Sequence, residues 1–511
     1  MAWIIFAAFV SIIAASRFIY PFERIANGVH AVRRLARILG LRDSSSRFLR
    51  WWEQRRFMHG AKRGLLIDGH GKRLSEHDSF QHLALISPTG GGKTTSYIVP
   101  NLLTLDNCSI VVTDPSGELY NATSGYLARK GFTLRVLNLQ EPSKGFGYNP
   151  VAKANSFAEI DKLANILIRS SNPVTRPGDD VWYSQPAALI SIFLRCLKNT
   201  GHSEWQNLHN VLHLIQNWDC SSENRRSLVR DFVACYALED QAILNQFKGF
   251  VAGNPKMVAS FITMATDALK LLNNPEIAAM MSRDEFDFHA LRREKTVVFL
   301  VVPETDANLY RFILNTFWSQ FFDAQKESRY KSEGYPVYCL MDEFGHSRIP
   351  DFATISTTIR KYHVSLSIIL QSVAQLREQY GPNDANTILS GGMRSKLFYS
   401  GLDLETSQMV EQMLGRKRVA LQSGLGHREE ALLGADRIRR LWSDEAIYVL
   451  SNEEPTLLRT TPFFRNPKLK RRTRLPAEPL PSSRRTSDLA YVPLAESSVQ
   501  SASGNWSPFN P

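Results

Sequence analysis

Cysteine is scarce in this chain of 511 residues, and its thiols are scattered. The five cysteines form no CxxC pair, and no histidine cluster with the spacing of a metal site accompanies them. This pattern argues against a disulfide framework and against a zinc site, and it indicates free thiols in a reducing compartment. A composition of 43% hydrophobic and 22% charged residues also excludes a collagenous or wholly disordered chain.

Long apolar runs are equally rare, and only the first twenty residues offer one that could span a membrane. No basic region precedes the run Met1–Ser16, so a secretory signal is not expected. Sixteen helical residues reach roughly 24 Å, so the span must continue past Arg17 to Tyr20 to cross a core of about 30 Å. We therefore predict a single transmembrane anchor at 1–20; the alternative is a helix that lies in the membrane interface.

Acidic residues are few at both ends of the chain. Residues 1–75 contain 14 Lys/Arg against 4 Asp/Glu, and residues 461–511 contain 8 against 3, whereas the middle is nearly neutral. The basic start favours orientation at a membrane over nucleic-acid binding, with the chain after Tyr20 in the cytoplasm by the positive-inside rule.

Apolar strand-like runs occur on both sides of a long stretch without strand candidates. They lie at 83–87, 109–114, 134–139, 296–302, 337–342 and 364–370. Their alternation with helical segments is typical of a parallel sheet covered by helices, so we expect an α/β fold. Between about 154 and 292, apolar residues recur at spacings of three and four, which predicts an inserted all-α domain.

A glycine-rich segment, SPTGGGKT at 87–94, follows the first strand-like run and precedes a helical one. Such a turn points successive backbone N–H groups at phosphate oxygens, and the positive end of the next helix assists them. The usual pattern begins with Gly where this chain has Ser87, and the alternative is a fortuitous glycine loop. The predicted phosphate-binding residues are Thr89, Gly90, Gly91, Gly92, Lys93, Thr94 and Thr95.

Within this loop Lys93 is expected to reach the β- and γ-phosphates of ATP, and the Thr94 hydroxyl to bind Mg²⁺. The run VYCLMDE (337–343) ends in two carboxylates. We expect Asp342 to bind at the magnesium ion and Glu343 to orient or deprotonate the attacking water. A strand that ends in Asp-Glu is weak evidence alone, and the glycine loop strengthens it.

Two further residues border the last strand-like run. Gln371 ends it, at the edge of the sheet where ligands bind in open α/β folds. Arg360 precedes it, and on its own would be interpreted as a surface arginine.

We divide the chain on this basis. The expected parts are a membrane anchor (1–20), a basic membrane-proximal segment (21–75), a nucleotide-binding domain in two parts (76–153 and 293–465), the inserted helical domain (154–292) and a basic tail (466–511). The tail is rich in Pro, Ser and Arg, so we expect it to be disordered.

The motifs together resemble a known family. Their order is SPTGGGKT (87–94), TDPSGELY (113–120), MDEFG (341–345) and ILQS (369–372), and the similarity extends through 274–288 and 380–415. This order is similar to that of the type IV secretion system coupling proteins, the TraG/TraD-type conjugative DNA-transfer ATPases. Ser116 departs from the pattern, since many members have Lys in that position.

The resemblance implies a RecA-like ATPase domain with an inserted all-α domain, assembled as a homo-hexamer on an anchor in the bacterial inner membrane. It implies that Lys93 is the loop lysine, Asp342 and Glu343 the acidic pair, and Gln371 a sensor of the γ-phosphate. It also implies an arginine finger between the acidic pair and that glutamine. Arg360 fits this spacing, and Lys361 is the neighbouring alternative.

The expected function is therefore hydrolysis of ATP with Mg²⁺ to drive transfer. The implied partners are type IV channel proteins, and a relaxase with single-stranded DNA, or effector proteins, as cargo. Two alternatives stay open at this point. One is a DNA translocase of the FtsK–HerA group, and the other is a receptor for secretion cargo that binds ATP without turnover.

Overall fold

A computed structural model describes residues 45–58, 62–171, 180–218, 227–238, 240–303, 308–346, 348–420, 427–450, 453–482 and 489–494. The anchor predicted at 1–20 and the part of the basic segment up to residue 44 lie outside the described residues. None of the helices in the described ranges is both long enough and apolar enough to cross a membrane.

The strands of the described residues are short and mostly buried. In chain order they are β1 (Leu83–Ile86), β2 (Ser109–Asp114), β3 (Thr133–Asn138), β4 (Thr296–Val301), β5 (Val337–Met341), β6 (Val364–Leu370), β7 (Ser395–Tyr399), β8 (Arg416–Ala420), β9 (His427–Ala431), β10 (Glu445–Leu450) and β11 (Thr456–Arg459).

The α-helices are α1 (Trp51–Phe57), α2 (Glu76–Ser79), α3 (Val99–Thr104), α4 (Glu118–Arg129), α5 (Phe157–Ser171), α6 (Asp180–Asn199), α7 (Leu208–Gln216), α8 (Leu228–Tyr236), α9 (Gln241–Val251), α10 (Pro255–Leu269), α11 (Pro275–Met281), α12 (Ala290–Arg293), α13 (Arg311–Gln325), α14 (Phe352–Thr358), α15 (Val373–Asn386), α16 (Leu404–Leu414), α17 (Ala435–Arg439) and α18 (Pro467–Arg472). Helix α15 is interrupted at Gly381, whose backbone is not helical.

The chain forms two compact units. The first comprises the described residues within 45–105, 369–378 and 389–470, and the second comprises those within 106–368, 379–388 and 471–494.

In the first unit, β1 pairs in parallel with β7, and β10 runs antiparallel between β7 and β11. Strand β1 is buried along its whole length. Residues 64–74, which the sequence placed in the membrane-proximal segment, belong to this core: the Asn101 side chain donates to the Leu66 carbonyl and accepts from the Leu66 N–H, both at 2.8 Å. The predicted boundary at residue 75 is therefore not a structural boundary.

In the second unit, the strand order is β6-β5-β2-β4-β3, and all neighbouring pairs are parallel. Strand β4, with the sequence TVVFLV, is fully buried, as expected for a β-branched run with helices on both faces. The α/β architecture predicted from the sequence is thereby confirmed.

The described residues between β3 and β4 contain helices and no strand. Asparagines begin several of these helices, because an Asn side chain accepts a hydrogen bond from an otherwise unpaired N–H of the first turn. Asn254 and Asn274 do so for α10 and α11, and a proline follows each of them at the first helical position. Phe193, Trp218 and Phe247 pack their rings together in the interior of this region.

The expectation of disorder from residue 466 onward is wrong for residues 466–482 and 489–494. Helix α18 is followed by an extended segment that lies along α4. There the Ser124 hydroxyl accepts from the Glu478 N–H at 3.1 Å, and the Tyr120 hydroxyl donates to the Glu478 carbonyl at 2.8 Å. A Cβ at Gly125 would lie 1.9 Å from the Pro476 carbonyl oxygen, so the close approach needs glycine. The segment is held through its main chain, and side-chain composition does not reveal that.

Candidate active site

The glycine-rich loop of the first unit leaves β1 beside the end of β6. The Ser87 N–H donates to the Leu370 carbonyl at 3.0 Å, which fixes where the loop starts. Gln371 follows directly, half-buried, and its N–H donates to the Gln375 side chain at 3.3 Å. The loop and Gln371 are therefore neighbours within one unit, as the sequence predicted for two residues at the carboxyl ends of strands.

At two positions of the loop, the backbone has a conformation that only glycine adopts without strain. Gly90 has φ +75° and Gly92 has φ +87°. No atom lies within 4 Å of the place where a Cβ on Gly90 would stand, so the backbone there is open to a ligand. At Gly91 the added Cβ would lie 2.3 Å from the Ser87 hydroxyl oxygen, so this position has no room for a side chain. Glycine-rich turns of this kind can bind phosphate groups through their backbone N–H groups, and we call Gly90–Gly92 the glycine cradle.

A helix begins at the end of this cradle. Its first turn is a π-helix, Thr94–Ile98, which continues into α3. Pro100 has no N–H to donate to the fourth residue before it, and its ring needs extra room, so a widened turn accommodates it. The Ser96 N–H donates to the Gly92 carbonyl at 2.8 Å, which joins the turn to the loop.

The two threonines of this turn differ in their hydrogen bonds. The Thr95 hydroxyl donates to the Gly92 carbonyl at 3.2 Å and thereby holds the loop. In the described part of the chain the Thr94 hydroxyl makes no hydrogen bond, so it is the one available to a metal ion. Lys93 is 8% exposed and directly precedes the π-helical turn. Thr89 is exposed on the outer side of the loop.

The acidic pair follows β5 in the second unit. Asp342 is buried, and one of its carboxylate oxygens accepts from the Glu343 N–H at 3.0 Å. Glu343 has φ +51°, a left-handed conformation that glutamate rarely adopts. Backbone strain of this kind is concentrated at functional sites, and here it lies directly after the strand.

Aromatic packing fixes the chain beyond the acidic pair. Phe344 stacks on Tyr380 with ring centroids 5.6 Å apart and an interplanar angle of 6°. The Tyr380 hydroxyl accepts from the Ile349 N–H at 2.9 Å. These contacts fix the residues that follow Glu343 and thereby support its left-handed backbone conformation.

Arg360 lies in the second unit on a 3-10 turn, Ile359–Tyr362, directly before β6. Its side chain is exposed, as is that of Lys361. The turn ends at His363, which has φ +54°, and the His363 N–H donates to the Arg360 carbonyl at 3.1 Å. The guanidinium is therefore displayed at the surface on a tightly closed turn.

Arg292 holds this turn by a hydrogen bond to its main chain, and no motif in the sequence indicates that role. It is buried, and its guanidinium donates to the Tyr362 carbonyl at 2.6 Å, the Tyr335 carbonyl at 3.1 Å and the Gln325 side chain at 2.6 Å. Burial lowers the pKa of Arg292 to about 10, which leaves it charged at neutral pH. Arg292 is a positioning residue for the segment that carries Arg360.

Replacing Arg292 with lysine should lower the free energy of unfolding by about 2–4 kcal/mol. A single ammonium cannot reach three acceptors in a planar fork, so buried carbonyls lose their partners. Urea denaturation measures the effect. The neighbouring Arg293 is exposed, and Arg293→Lys is the matched control, with an expected change under about 0.5 kcal/mol. Equal effects of the two substitutions would contradict the positioning role.

Asp114, at the end of β2, is a second residue whose role the motif TDPSGELY did not reveal. Its carboxylate accepts from the N–H groups of Leu119 at 3.2 Å and Tyr120 at 2.8 Å, at the start of α4. Burial raises the pKa of Asp114, and the backbone hydrogen bonds act in the opposite direction. Together with Gly117, which has φ +76°, the carboxylate shapes the turn after β2.

The predicted site residues thus fall into two sets. The first unit holds residues 89–95 and Gln371, and the second holds Asp342, Glu343 and Arg360. Each set has the local geometry described above. The catalytic and metal-binding roles given to individual residues stay predictions.

Comparison with known proteins gives a family match. The model of the family described as "Type IV secretory system Conjugative DNA transfer" matches residues 57–484. The VirD4 protein of Rhizobium radiobacter is 23% identical over 410 residues, which cover 76% of this chain and 58% of that protein. The probable conjugal transfer protein TraG of Sinorhizobium fredii is 26% identical over 356 residues, which cover 66% and 53%. The chain spans little more than half the length of these curated relatives.

Solved structures show the same fold. The plasmid coupling protein TrwB, in complex with ADP and Mg²⁺, superposes with a TM-score of 0.61 at 16% sequence identity. The match covers 87% of this chain and 96% of the TrwB chain. At this level of identity the likeness shows the fold alone, which is an α/β fold.

Proposed function

Because the chain belongs to the type IV secretory system conjugative DNA transfer family, we propose that it is a coupling ATPase of a type IV secretion system. It forms a homo-hexamer of RecA-like domains at the bacterial inner membrane. It brings a relaxase–DNA complex or a protein substrate to the secretion channel and drives transfer by hydrolysing ATP.

The observation that carries this proposal is the glycine cradle in front of a helix start. Gly90 and Gly92 have positive φ, and the open space at Gly90 leaves the backbone free to meet phosphate oxygens. Lys93 directly precedes the helical turn that begins at Thr94, and its side chain is largely buried. These features fit a nucleoside triphosphate, and TrwB, which shares the fold, binds ADP with Mg²⁺.

The residues of the chain have distinct parts in this reaction. The loop amides and Lys93 bind and orient the phosphates, and Gln371 reports the presence of the γ-phosphate. Glu343 orients the attacking water and accepts its proton. Thr94 and Asp342 have the hydroxyl and carboxylate oxygens that Mg²⁺ prefers, and the ion, when bound with ATP, neutralises charge on the phosphates.

Lys93→Ala should reduce transfer on the order of 10²-fold or more while the fold stays intact. The substitution removes a charge that clamps the phosphates and stabilises the transition state. The measurement is the transfer frequency from cells that carry the variant. Lys256→Ala, on an exposed position of α10, is the matched control and should transfer normally. Normal transfer by the Lys93→Ala variant would contradict the ATP-driven mechanism.

The membrane part of the proposal rests on the apolar run 1–20 and on the six arginines between Arg17 and Arg42. Deletion of residues 1–20 should move the protein from the membrane pellet to the soluble fraction. The measurement is fractionation of cells followed by a salt wash of the membranes, with the full chain as control. A truncated protein that still pellets after the wash would show that other segments hold it there.

A further inference from the structure

A short stretch of the tail, residues 489–494, lies against helix α7 in the second unit. The Asn210 side chain on α7 holds it by the main chain on both sides of Tyr491. Its amide group donates to the Ala490 carbonyl at 2.9 Å, and its oxygen accepts from the Val492 N–H at 3.0 Å. A paired contact of this kind recognises an extended backbone whatever its side chains are.

Hydrogen bonds within the helical region fix the position of Asn210. It is fully buried, its own N–H donates to the Asn207 side chain at 2.9 Å, and its second amide hydrogen is directed to the Trp205 carbonyl at 3.2 Å. The tail supplies the remaining two partners of the side chain. If the tail dissociated, the buried Asn210 side chain would lose these two hydrogen-bond partners. That loss is unfavourable unless another chain or water replaces them.

Side chains on either side of the clamp add an apolar and an aromatic contact. Val492 is 2% exposed, whereas Tyr491 lies with its ring centroid 4.4 Å from that of His209 and 5.3 Å from that of His213. Burial lowers the pKa of His209 to about 4, so its ring is neutral near pH 7. The Tyr491 ring thus contacts both histidine rings edge-to-face.

The tail does not fill the groove that it occupies. A cavity of about 340 Å³ remains beside Leu489 and Ala490, and its lining also includes Arg283 and Asp284. The groove therefore has space beside these two positions that the tail leaves unfilled.

We propose that the face of α7 around Asn210 is a binding site for an extended peptide, and that residues 489–494 are its internal ligand. A partner protein that offers an extended segment with an aromatic residue followed by a β-branched one displaces the tail and takes its place. The contacts that define this site lie outside the nucleotide-binding loop. The peptide-binding proposal and the proposed ATPase function can therefore be tested separately.

The test uses a fluorescent synthetic peptide of residues 486–497 and the full chain carrying Val492→Asp. A carboxylate at this buried position should release the tail and leave the groove open. By fluorescence anisotropy, the peptide should bind this variant at least tenfold more tightly than the unaltered chain, whose own tail competes. Adding Asn210→Ala to the variant should weaken binding by about 10- to 100-fold, because two hydrogen bonds are lost.

A substitution in the peptide, instead of the protein, keeps the test informative if Asn210→Ala disturbs folding. The peptide with Val492→Asp should fail to bind the open chain, and the protein is untouched in that measurement. No binding of the unaltered peptide to the open chain would overturn the proposal. Equal binding to the open and the unaltered chain would also overturn it, because the tail would then not occupy the site.

Discussion

Arg360→Ala is expected to lower ATP turnover by about 10³–10⁵-fold while nucleotide binding is retained. A guanidinium supplied by a neighbouring subunit stabilises the charge on the transferring phosphoryl oxygens, and effects of this size accompany its loss in other phosphoryl-transfer enzymes. The exposed position of Arg360 on a rigid turn is what an arginine that acts on a neighbour requires. Lys361→Ala, one residue further on the same turn, is the matched control and should retain turnover.

Mixing two inactive variants tests whether the arginine acts across a subunit boundary. Rings assembled from equal amounts of Lys93→Ala and Arg360→Ala contain sites that pair an intact Lys93 with an intact Arg360 of the adjoining subunit. Such rings should regain measurable phosphate release, whereas neither variant alone shows any. Native mass spectrometry would verify that the rings are mixed. If mixed rings show no rescue, Arg360 acts within its own subunit or has only a structural role.

Glu343→Gln should lower ATP turnover by about 10²–10⁴-fold, because the amide cannot accept the proton of the attacking water. The substitution keeps the size and polarity of the side chain, so the left-handed backbone at this position is preserved. ATP affinity, measured by equilibrium binding, should change little, which separates a catalytic loss from a binding loss.

Glu333→Gln provides the control for that substitution, since Glu333 is an exposed glutamate of the same unit. Its turnover should equal that of the unaltered chain. Should Glu343→Gln hydrolyse ATP at the normal rate, the residue would have no part in water activation, and its strained backbone would need another explanation.

The strands of the second unit could be predicted closely from the sequence. The apolar runs at 109–114 and 364–370 coincide with β2 and β6, and the run at 337–342 ends one residue beyond β5. Strands buried on both faces have continuous β-branched and aliphatic sequences, so their limits are visible in the chain. The glycine loop was equally visible, because the required positive φ angles restrict the residue type. The family resemblance drawn from these motifs is confirmed by the family match.

Other features depend on contacts between distant residues and left no local pattern. The order of the tail rests on main-chain hydrogen bonds to Ser124 and Asn210, which composition does not report. Arg292 would be interpreted from the sequence as one of many surface arginines, and only the fold brings three acceptors to it. The antiparallel strands β10 and β11 were also missed, because their exposure is mixed and their apolar runs are short.

The claim that this chain is an ATP-driven coupling protein is tested most directly by its rate of phosphate release with and without single-stranded DNA. The full chain in membranes or detergent, supplied with ATP and Mg²⁺, should hydrolyse ATP, and single-stranded DNA should raise the rate. Chelation of Mg²⁺ should abolish it. Tight ATP binding without any phosphate release, in assembled rings and at saturating DNA, would contradict the claim and would favour a receptor that binds ATP without turning it over.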